Sequence, residues 1–339
     1  MKKYLAFVLL ACAALLSACE STTTPSSTTS QPLGDVGNDI QLINSKLYIV
    51  LDNSDKIVVA TPPINAHDRL YILNEGAFGK NNARLDLWDW KDSSLTTNLY
   101  SSDPTATISF PAKSAPWKIL QISATEALAA EFYTGQMAVV NLNSNTITST
   151  IQIGAGQNSL AILGSNVYAT TGSNTIVSID KSQKTVLLQK WIGENPMQVV
   201  ADTGRNKLIV LTSGNYAPKT SGKILWVDPT TLAVTDSIIV DTLHYVNEII
   251  PAGNKAYILY GDGVKVLDLI THKLSTDPLF TKPYFSGYFD AWKNLLYLGT
   301  AVDFQNNDVV DIFDVTTHSL KRSLNVGIAP AFFAVVRFI

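Results

Sequence analysis

Residues 254–274, NKAYILYGDGVKVLDLITHKL, are the clearest copy of a unit that recurs along this chain. The unit opens with AYILY, ending at Tyr260, a run of apolar and aromatic residues that favours a strand. Gly261, Asp262 and Gly263 follow as a turn signal, and VKVLDL then alternates apolar and polar residues as a second strand does. The stretch is therefore predicted to form a β-hairpin.

Six other segments repeat this pattern, and they are SKLYIVLDNSDKIVVA from Ser45, DRLYILNEG from Asp68, EALAAEFYTGQMAVVNL from Glu126, NVYATTGSNTIVSID from Asn166, NKLIVLTSG from Asn206 and NLLYLGT from Asn294. The later copies are about 40 residues apart, the period of propeller blades built from four strands each. Residues around each hairpin, such as 197–200 and 232–240, supply the other two strands. The sequence therefore predicts an all-β fold, a β-propeller of about seven four-stranded blades.

The first strand of each hairpin is apolar on both faces, as in AYILY. A strand with only one buried face would alternate apolar and polar residues. We therefore expect each of these strands to lie inside a sheet that is covered on both sides by neighbouring blades. Three tryptophans in strand patterns, Trp191, Trp226 and Trp292, are expected in the core, and Trp88 and Trp90 are expected to cover an outer edge.

The two ends of the predicted ring are irregular. The second copy follows the first after about half a period, and the third follows the second after about one and a half periods. The last segment, residues 331–339 (AFFAVVRFI), is too apolar for a free tail. Two interpretations remain open: it returns to complete an N-terminal blade, or it is the final strand of the last blade.

The N-terminus has the features of an export signal. Lys2 and Lys3 precede an apolar core, residues 5–16, that is too short to span a membrane. Residues 16–19, Leu-Ser-Ala-Cys, look like a bacterial lipobox, a resemblance that implies cleavage before Cys19 and lipid attachment to it. The alternative is an ordinary secretory signal that contains a cysteine. Residues 1–18 are thus predicted to be a lipoprotein signal peptide.

The rest of the chain divides into a short linker and one domain. Residues 19–33 are almost all Ser and Thr with Pro25 and Pro32, a composition that favours a solvated tether. Residues 34–339 are long enough for one ring of about seven blades. The chain's cysteines are Cys12 and Cys19, so the predicted mature domain has no disulfide and no thiolate metal site.

Charge and motifs exclude several classes of function. The net charge is -3, and the 25 Lys and Arg form no basic run, which argues against a nucleic-acid partner. The four histidines are isolated, and catalytic spacings such as H-E-x-x-H and G-x-S-x-G are missing. A calcium site is conceivable at acidic turn residues, but aspartate as a turn former explains them better; they are Asp52, Asp55, Asp262 and Asp303. We predict no catalytic residue, metal or cofactor.

The segments predicted to lie at one mouth of the ring are rich in aromatic and amide side chains. These offer stacking faces with neutral donors and acceptors, which suits an uncharged ligand. Taken singly, each is better explained as a turn former or a packing residue; as a set they indicate binding. The candidate ligand-binding residues are Asn74, Glu75, Phe78, Asn81, Asn82, Trp117, Tyr133, Asn215, Tyr216, Tyr245 and Tyr288.

Two stretches carry a family resemblance, namely residues 70–89 (LYILNEGAFGKNNARLDLWD) and 38–60 (NDIQLINSKLYIVLDNSDKIVVA). Together they resemble the YncE-like, YVTN-type propeller lipoproteins found on the surface of Bacteroidetes-type bacteria. The resemblance implies a lipid-anchored outer-membrane protein, facing the cell surface, that captures a ligand for a TonB-dependent transporter; in the best understood kind the ligand is cobalamin. In this chain the NEG segment follows the NDIQLI segment instead of preceding it, so individual ligand contacts do not transfer.

Three functions are consistent with the sequence. The first is non-catalytic capture of a bulky neutral small molecule, cobalamin or a glycan, by a protein that touches the membrane through its lipid alone. The second is a scaffold that binds another envelope protein. The third is a metal-assisted propeller hydrolase. Binding without turnover, co-purification with an envelope partner and chelator-sensitive activity, respectively, would distinguish them.

Overall fold

A computed structural model describes residues 37–51, 54–62, 67–77, 80, 82–99, 106–112, 114–154, 156–214, 220–241 and 246–337. These residues form seven four-stranded antiparallel sheets, which confirms the predicted β-propeller. No helix among them is long and apolar enough to cross a membrane. Cys19, the predicted signal peptide and the predicted tether lie outside the described residues.

The 28 strands, numbered in chain order, occupy four positions from the centre of the ring to its outer edge. The inner strands are β1 (Gly37–Ile43), β8 (Pro116–Gln121), β12 (Ser159–Leu163), β16 (Pro196–Asp202), β20 (Val246–Ala252), β24 (Ser286–Asp290) and β28 (Pro330–Val336). The second strands are β2 (Lys46–Leu51), β9 (Glu126–Glu131), β13 (Asn166–Thr171), β17 (Lys207–Thr212), β21 (Lys255–Tyr260), β25 (Leu295–Gly299) and β4 (Arg69–Asn74).

The remaining strands complete each blade. The third strands are β3 (Lys56–Ala60), β10 (Gln136–Asn141), β14 (Thr175–Asp180), β18 (Gly222–Val227), β22 (Gly263–Asp268), β26 (Val309–Asp314) and β5 (Arg84–Asp89). The outer strands are β7 (Ala106–Ser109), β11 (Thr146–Gln152), β15 (Thr185–Trp191), β19 (Val234–Asp241), β23 (Lys273–Leu274), β27 (Leu320–Asn325) and β6 (Ser94–Thr96). In each of these four series the strands belong, in order, to blades 1 to 7.

The hairpin in residues 254–274 is built as predicted. Strand β21 pairs with β22, and Tyr260 lies opposite Gly263 across a two-residue turn. Gly263 has a φ of 149°, and a Cβ at this position would run into the carbonyl oxygen of Phe280. The turn therefore requires glycine both for its backbone conformation and for this close approach.

Two strand exchanges close the ring and explain the irregular repeat spacing. After β3 the chain leaves blade 1, builds β4, β5 and β6 of blade 7, and returns to blade 1 as β7. The C-terminal strand β28 then pairs with β4, with Phe333 opposite Ile72, so it completes a blade made from N-terminal strands. The first of the two interpretations of residues 331–339 is confirmed.

The hydrophobic core consists of seven separate clusters, one at each contact between neighbouring blades. In β2, Tyr48 and Val50 face blade 2, whereas Leu47, Ile49 and Leu51 face blade 7. The second strands are therefore apolar on both faces because each face packs against a different neighbour, as the sequence predicted.

Only one of the three tryptophans predicted for the core is buried. Trp226 in β18 lies between blades 4 and 5 and is 2% exposed. Trp191 and Trp292 are 65% and 77% exposed, so for them the prediction is wrong. Trp191 ends an outer strand with no further strand beyond it, and Trp292 lies in the turn after β24. Strand-like sequence does not distinguish an inner strand from an outer one.

The prediction that Trp88 and Trp90 cover an outer edge is also wrong. Trp88 is 2% exposed and lies in the cluster between blades 6 and 7. Trp90 packs against the same cluster, with its ring 5.9 Å from that of Trp88 in an edge-to-face arrangement. These side chains join two blades.

We predict that the ring requires β28. Deleting residues 331–339 exposes the inner edge of β4 and opens the ring. The deletion should therefore remove most of a free energy of unfolding of about 5–15 kcal/mol. Replacing Phe333 by Ala should cost about 3–5 kcal/mol through the cavity left between blades 6 and 7. Urea unfolding measures both. Ile270→Ala, at an exposed position, is the control, and a truncated protein that unfolds at the parental urea concentration would contradict the assignment.

Candidate functional site

All seven inner strands begin at the same end of the central channel. Each blade is an antiparallel meander that runs from the inner to the outer strand, and blades follow one another around the ring. The inner strands also contact one another in a closed cycle. The starts of the inner strands and the turns between second and third strands therefore surround one opening, which we call the mouth.

A ring of seven equivalent residues surrounds the mouth. In five inner strands one extra residue is inserted as a β-bulge next to the first strand residue. Asn158 and Phe285 hold the corresponding places before β12 and β24, and their N–H groups donate to the carbonyl oxygens of Thr170 and Gly299. In blade order the seven rim residues are Asn38, Trp117, Asn158, Met197, Asn247, Phe285 and Ala331.

Asparagines alternate with large apolar residues around most of this rim. The three asparagines join blades, because each amide donates to a backbone carbonyl at the start of the next inner strand or just before it. Asn38 Nδ2 lies 3.2 Å from the oxygen of Pro116, Asn158 Nδ2 lies 2.9 Å from that of Pro196, and Asn247 Nδ2 lies 3.1 Å from that of Tyr284. These bonds satisfy carbonyl groups that have no strand partner on the channel side.

Two rim aromatics form clusters with the turns of their own blades. The ring of Trp117 lies 5.1 Å from that of Phe132, and Tyr133 meets Phe132 edge to face, also at 5.1 Å. In blade 6, Phe285 meets Phe304 edge to face at 5.3 Å. Tyr133 is 44% exposed, so the first cluster presents an accessible aromatic surface at the mouth. Such a surface can stack against an apolar or planar part of a ligand.

Below the rim, polar side chains cover the channel-facing edge of the inner strands. At three of the five bulges, the residue that follows reaches across to the next blade. Asp39 Oδ2 accepts the N–H of Ile119 at 3.0 Å, and Glu248 Oε2 accepts that of Gly287 at 2.8 Å. Gln198 both accepts from Ile249 N at 2.8 Å and donates to Ile249 O at 3.1 Å. The layer pairs backbone groups that an edge strand would leave unpaired.

Lys118 occupies the same position in blade 2 but does not follow this pattern. Its Nζ lies over the ring of Phe332 from blade 7, 3.9 Å from the ring centre, and 3.9 Å from Asp39 Oδ1 of blade 1. This Nζ forms no hydrogen bond with any residue that the structure describes. The Asp39 carboxylate already accepts N–H groups from Ile40, Gln41 and Ile119. Lys118 therefore reaches back past blade 1 and places a cation in the channel.

Glu248 faces this cation from blade 5. Burial raises the pKa of Glu248 to about 7, although the N–H of Gly287 and the charge of Lys118 both act to lower it. The carboxyl group is thus partly protonated near neutral pH. Lys118, Asp39 and Glu248 share this layer, so ionisation of Glu248 changes the net charge of the layer near neutral pH.

Two of the predicted ligand-binding residues come together at the mouth. Trp117 and Tyr133 both pack on Phe132. Tyr288 does not join them, because it lies in the middle of β24 and packs against Tyr297 at 6.2 Å, in the cluster between blades 6 and 7.

Three other candidates lie at the end of β4 or in the loop after it, beside the ring closure. Asn74 is fully buried, and its amide donates to Asp86, which in turn accepts the N–H of Gly327. Glu75 N donates to the carbonyl oxygen of Ala329, and Asn82 Oδ1 accepts the N–H of Ala77. Asn74, through Asp86, and Glu75 thus hold the chain that leads into β28, whereas Asn82 stabilises its own loop.

The remaining candidates lie outside the described residues, and they are Phe78, Asn81, Asn215, Tyr216 and Tyr245. The sequence reading missed Met197 and Phe285 on the rim and Lys118 and Glu248 in the channel. The signal that they share is one repeat position in each inner strand, which becomes visible once the strands are aligned by their registers in the sheets.

Polar turn residues in the described part of the chain support the fold. Asp228, Asp268 and Asp314 each accept backbone N–H groups two and three residues further on. Asp303, one of the calcium candidates, does the same with Gln305 and Asn306. Among the described residues, His, Cys, Asp and Glu form no group of three that could hold a metal ion.

The fold defines the chain as a seven-bladed β-propeller. It is similar to Kuenenia stuttgartiensis hydrazine synthase, with a TM-score of 0.63 and 10% identity over 94% of this chain and 99% of that one. It is also similar to the WD40 domain of Neurospora crassa Pan2, with a TM-score of 0.55 and 10% identity over 88% and 80% of the two chains. At this identity the likeness concerns the fold alone. No family model and no curated protein matches the chain.

We predict that Glu248 makes stability depend on pH. Its pKa of about 7 in the folded protein exceeds its usual value of 4.5. Its contribution to the free energy of unfolding is therefore complete below about pH 4.5 and is lost as the pH rises through 7. Glu248→Gln keeps an acceptor for Gly287 N but cannot ionise. The free energy of unfolding of wild type minus that of the variant should fall by roughly 2 kcal/mol between pH 5 and pH 8. Urea unfolding at both pH values tests this, with Asp277→Asn at an exposed turn as control; equal pH dependence of wild type and Glu248→Gln would contradict it.

Proposed function

We propose that this protein is a non-catalytic, lipid-anchored capture protein that binds a bulky neutral ligand at the mouth of its propeller. The observation that carries the proposal is the aromatic cluster of Trp117, Phe132 and Tyr133, which is partly open to solvent at the mouth. Binding sites in proteins are commonly concave and largely apolar, with a few polar groups that fix orientation. The rim provides such polar groups at Asn158 and Asn247, which are partly exposed, whereas Asn38 is buried.

The rim composition supports a neutral ligand. Its members are three asparagines, four apolar residues and no charged side chain. The charged groups lie deeper, where Lys118 is held near Asp39 and Phe332. A ligand resting on the rim would meet aromatic faces and amides first. Cobalamin is the leading specific candidate, from the family resemblance, and a glycan is the second.

The proposed cellular setting comes from the sequence. The lipobox at residues 16–19 and the Ser/Thr-rich segment that follows support an anchored protein whose propeller stands away from the lipid. The family resemblance supports an outer-membrane location and a TonB-dependent transporter as the partner that receives the ligand. A binding function requires no catalytic residue.

We predict that Trp117 and Phe132 are important for affinity. Replacing either by Ala should cost roughly 2 kcal/mol of binding free energy, about 30-fold in Kd, because both form the stacking surface. Titration calorimetry of residues 34–339 with cyanocobalamin, and then with a glycan panel, measures this. Affinity for a neutral ligand should depend only weakly on salt, unlike phosphate binding.

Trp292→Ala is the matched control for these variants. Trp292 is 77% exposed and lies after the inner strand β24, at the opposite end of the channel from the mouth, so its loss should leave affinity unchanged. Equal losses of affinity from Trp292→Ala and Trp117→Ala would show that the ligand does not bind at the mouth. No heat with either ligand class would favour the scaffold function instead.

We predict that Cys19 carries the lipid. A Cys19→Ser variant should incorporate no clickable fatty acid and should leave the membrane fraction, because no other cysteine follows the signal peptide. Fluorescent labelling and fractionation measure both properties. Continued labelling of the variant would show that the anchor has been assigned to the wrong residue.

A further inference from the structure

A recess between blades 3 and 4 lies on the side of the ring opposite the mouth. It has a volume of about 410 Å³, within the range of roughly 300–1,000 Å³ that is common for small-molecule sites. From blade 4 its lining includes Asn206, in the turn between the first two strands, and Pro229, in the turn between the last two. Both kinds of turn lie at the end of the channel away from the mouth, so the recess is separate from the proposed ligand site.

One wall of the recess is a row of three side chains that lie side by side across the sheet of blade 3. Tyr168 of β13 pairs with Ser178 of β14, and Ser178 pairs with Leu188 of β15. Tyr168 belongs to the hydrophobic cluster between blades 3 and 4, so the row faces blade 4. All three residues line the recess. The recess is therefore enclosed by this row on one side and by the turns of blade 4 on the other.

Ser178 is the exception among seven equivalent residues. Each of them is the third-strand residue that pairs with the third residue of the second strand. In the other six blades this residue is apolar and packs against the next blade; the six are Val59, Val139, Trp226, Val266, Ile312 and Leu87. Blade 3 has a small polar residue there instead, and the recess lies in front of it.

The hydroxyl group of Ser178 is available to a ligand. Ser178 is only 3% exposed, yet it lines the recess, and its side chain forms no hydrogen bond with any residue that the structure describes. The side-chain amide of Asn206, on the opposite wall, also has no hydrogen-bond partner among the described residues. A nearly buried hydroxyl group without a partner is unfavourable unless water or a ligand binds it. The recess thus presents polar groups that the fold itself leaves unpaired.

The rest of the lining indicates the class of ligand. Leu163, Leu188 and Pro229 supply apolar surface, whereas Asn166 and Thr230 add an amide and a hydroxyl group. Among the described residues, no charged side chain lines the recess. Because a charged group buried without a partner is costly, the lining favours a neutral ligand. A neutral sugar residue fits, because its hydroxyl groups donate and accept hydrogen bonds and its C–H faces pack on apolar side chains.

We propose that the recess between blades 3 and 4 binds a neutral sugar residue. Ser178 and Asn206 form hydrogen bonds with its hydroxyl groups, and Leu188 and Pro229 pack against its C–H face. The site is distant from the mouth and does not depend on the ligand proposed there.

NMR of the side-chain amides tests this site directly. Residues 34–339, which contain all seven blades, are labelled with ¹⁵N and titrated with D-glucose, D-galactose, D-mannose and N-acetyl-D-glucosamine. At least one sugar should shift the Asn206 amide signals saturably, with a Kd of about 10 mM or below. The Asn206→Asp variant identifies these signals. The charged analogues D-glucosamine and D-glucuronate should bind at least about fivefold more weakly, because the recess offers no opposite charge.

A substitution copied from other blades tests the role of Ser178. Ser178→Val installs the residue found at Val59, Val139 and Val266, so it suits the same strand position. It removes the hydroxyl group and narrows the recess, and it should therefore weaken sugar binding at least about tenfold. The melting temperature should not fall, because the variant loses no hydrogen bond within the protein. Ser149→Val, at an exposed position of β11, is the matched control and should leave the affinity unchanged.

Three results would each overturn the proposal. The first is the lack of a saturable shift of the Asn206 signals with all four neutral sugars, and this includes a sugar that shifts signals only at the mouth. The second is equal affinity of wild type and Ser178→Val. The third is tighter binding of a charged analogue than of the neutral sugars, since the recess would then select a different class of ligand.

Discussion

Pairing of β28 with β4 is the constraint on which the rest of the structure depends. A single blade buries apolar residues on only part of its surface, and each ordered residue costs about 1–2 kcal/mol of conformational entropy. Every second strand has two apolar faces, so every blade needs two neighbours. Only a closed ring gives all seven blades two neighbours, and β28 supplies the last one. Buried carboxylates at Asp86 and Asp308 hold the loop before β28 through the N–H groups of Gly327 and Ala329.

Closure of the ring leaves backbone groups of the inner strands unpaired toward the channel, and side chains in the channel pair them. Seven inner strands present an edge toward the ring axis, and their backbone groups have no strand partner there. The rim asparagines and the layer beneath them bond to the next blade, as Asn158 does to Pro196 and Gln198 to Ile249. These side chains join the blades and also set the chemistry of the opening. The proposed ligand site and the contacts between inner strands are therefore made from the same repeat positions.

Two side chains depart from the contacts that their counterparts in other blades make. Lys118 leaves the bonding pattern of its layer and places a cation among Asp39, Glu248 and Phe332. Leu187 lacks the hydroxyl group that Thr148 and Thr235 donate to the strand beside them. The counterparts of Lys118 include Asp39, Gln198 and Glu248, and those of Leu187 are Thr148, Thr235 and Lys321. A repeat protein thus contains its own controls, and substitutions can be copied from one blade to another with the backbone unchanged.

The sequence by itself determined the all-β architecture, the approximate blade number and the hairpin at residues 254–274, because turn residues and apolar runs are local signals. It also indicated that residues 331–339 are buried, and it placed Trp117 and Tyr133 at the mouth, but it assigned Asn74, Tyr288, Trp191 and Trp292 to surroundings different from those observed. Only the tertiary structure decided strand order at the closure, the rim and channel residues, and which strands lie outermost. The physical reason is that inner and outer strands carry similar local patterns, whereas their burial depends on pairings between residues far apart in the chain.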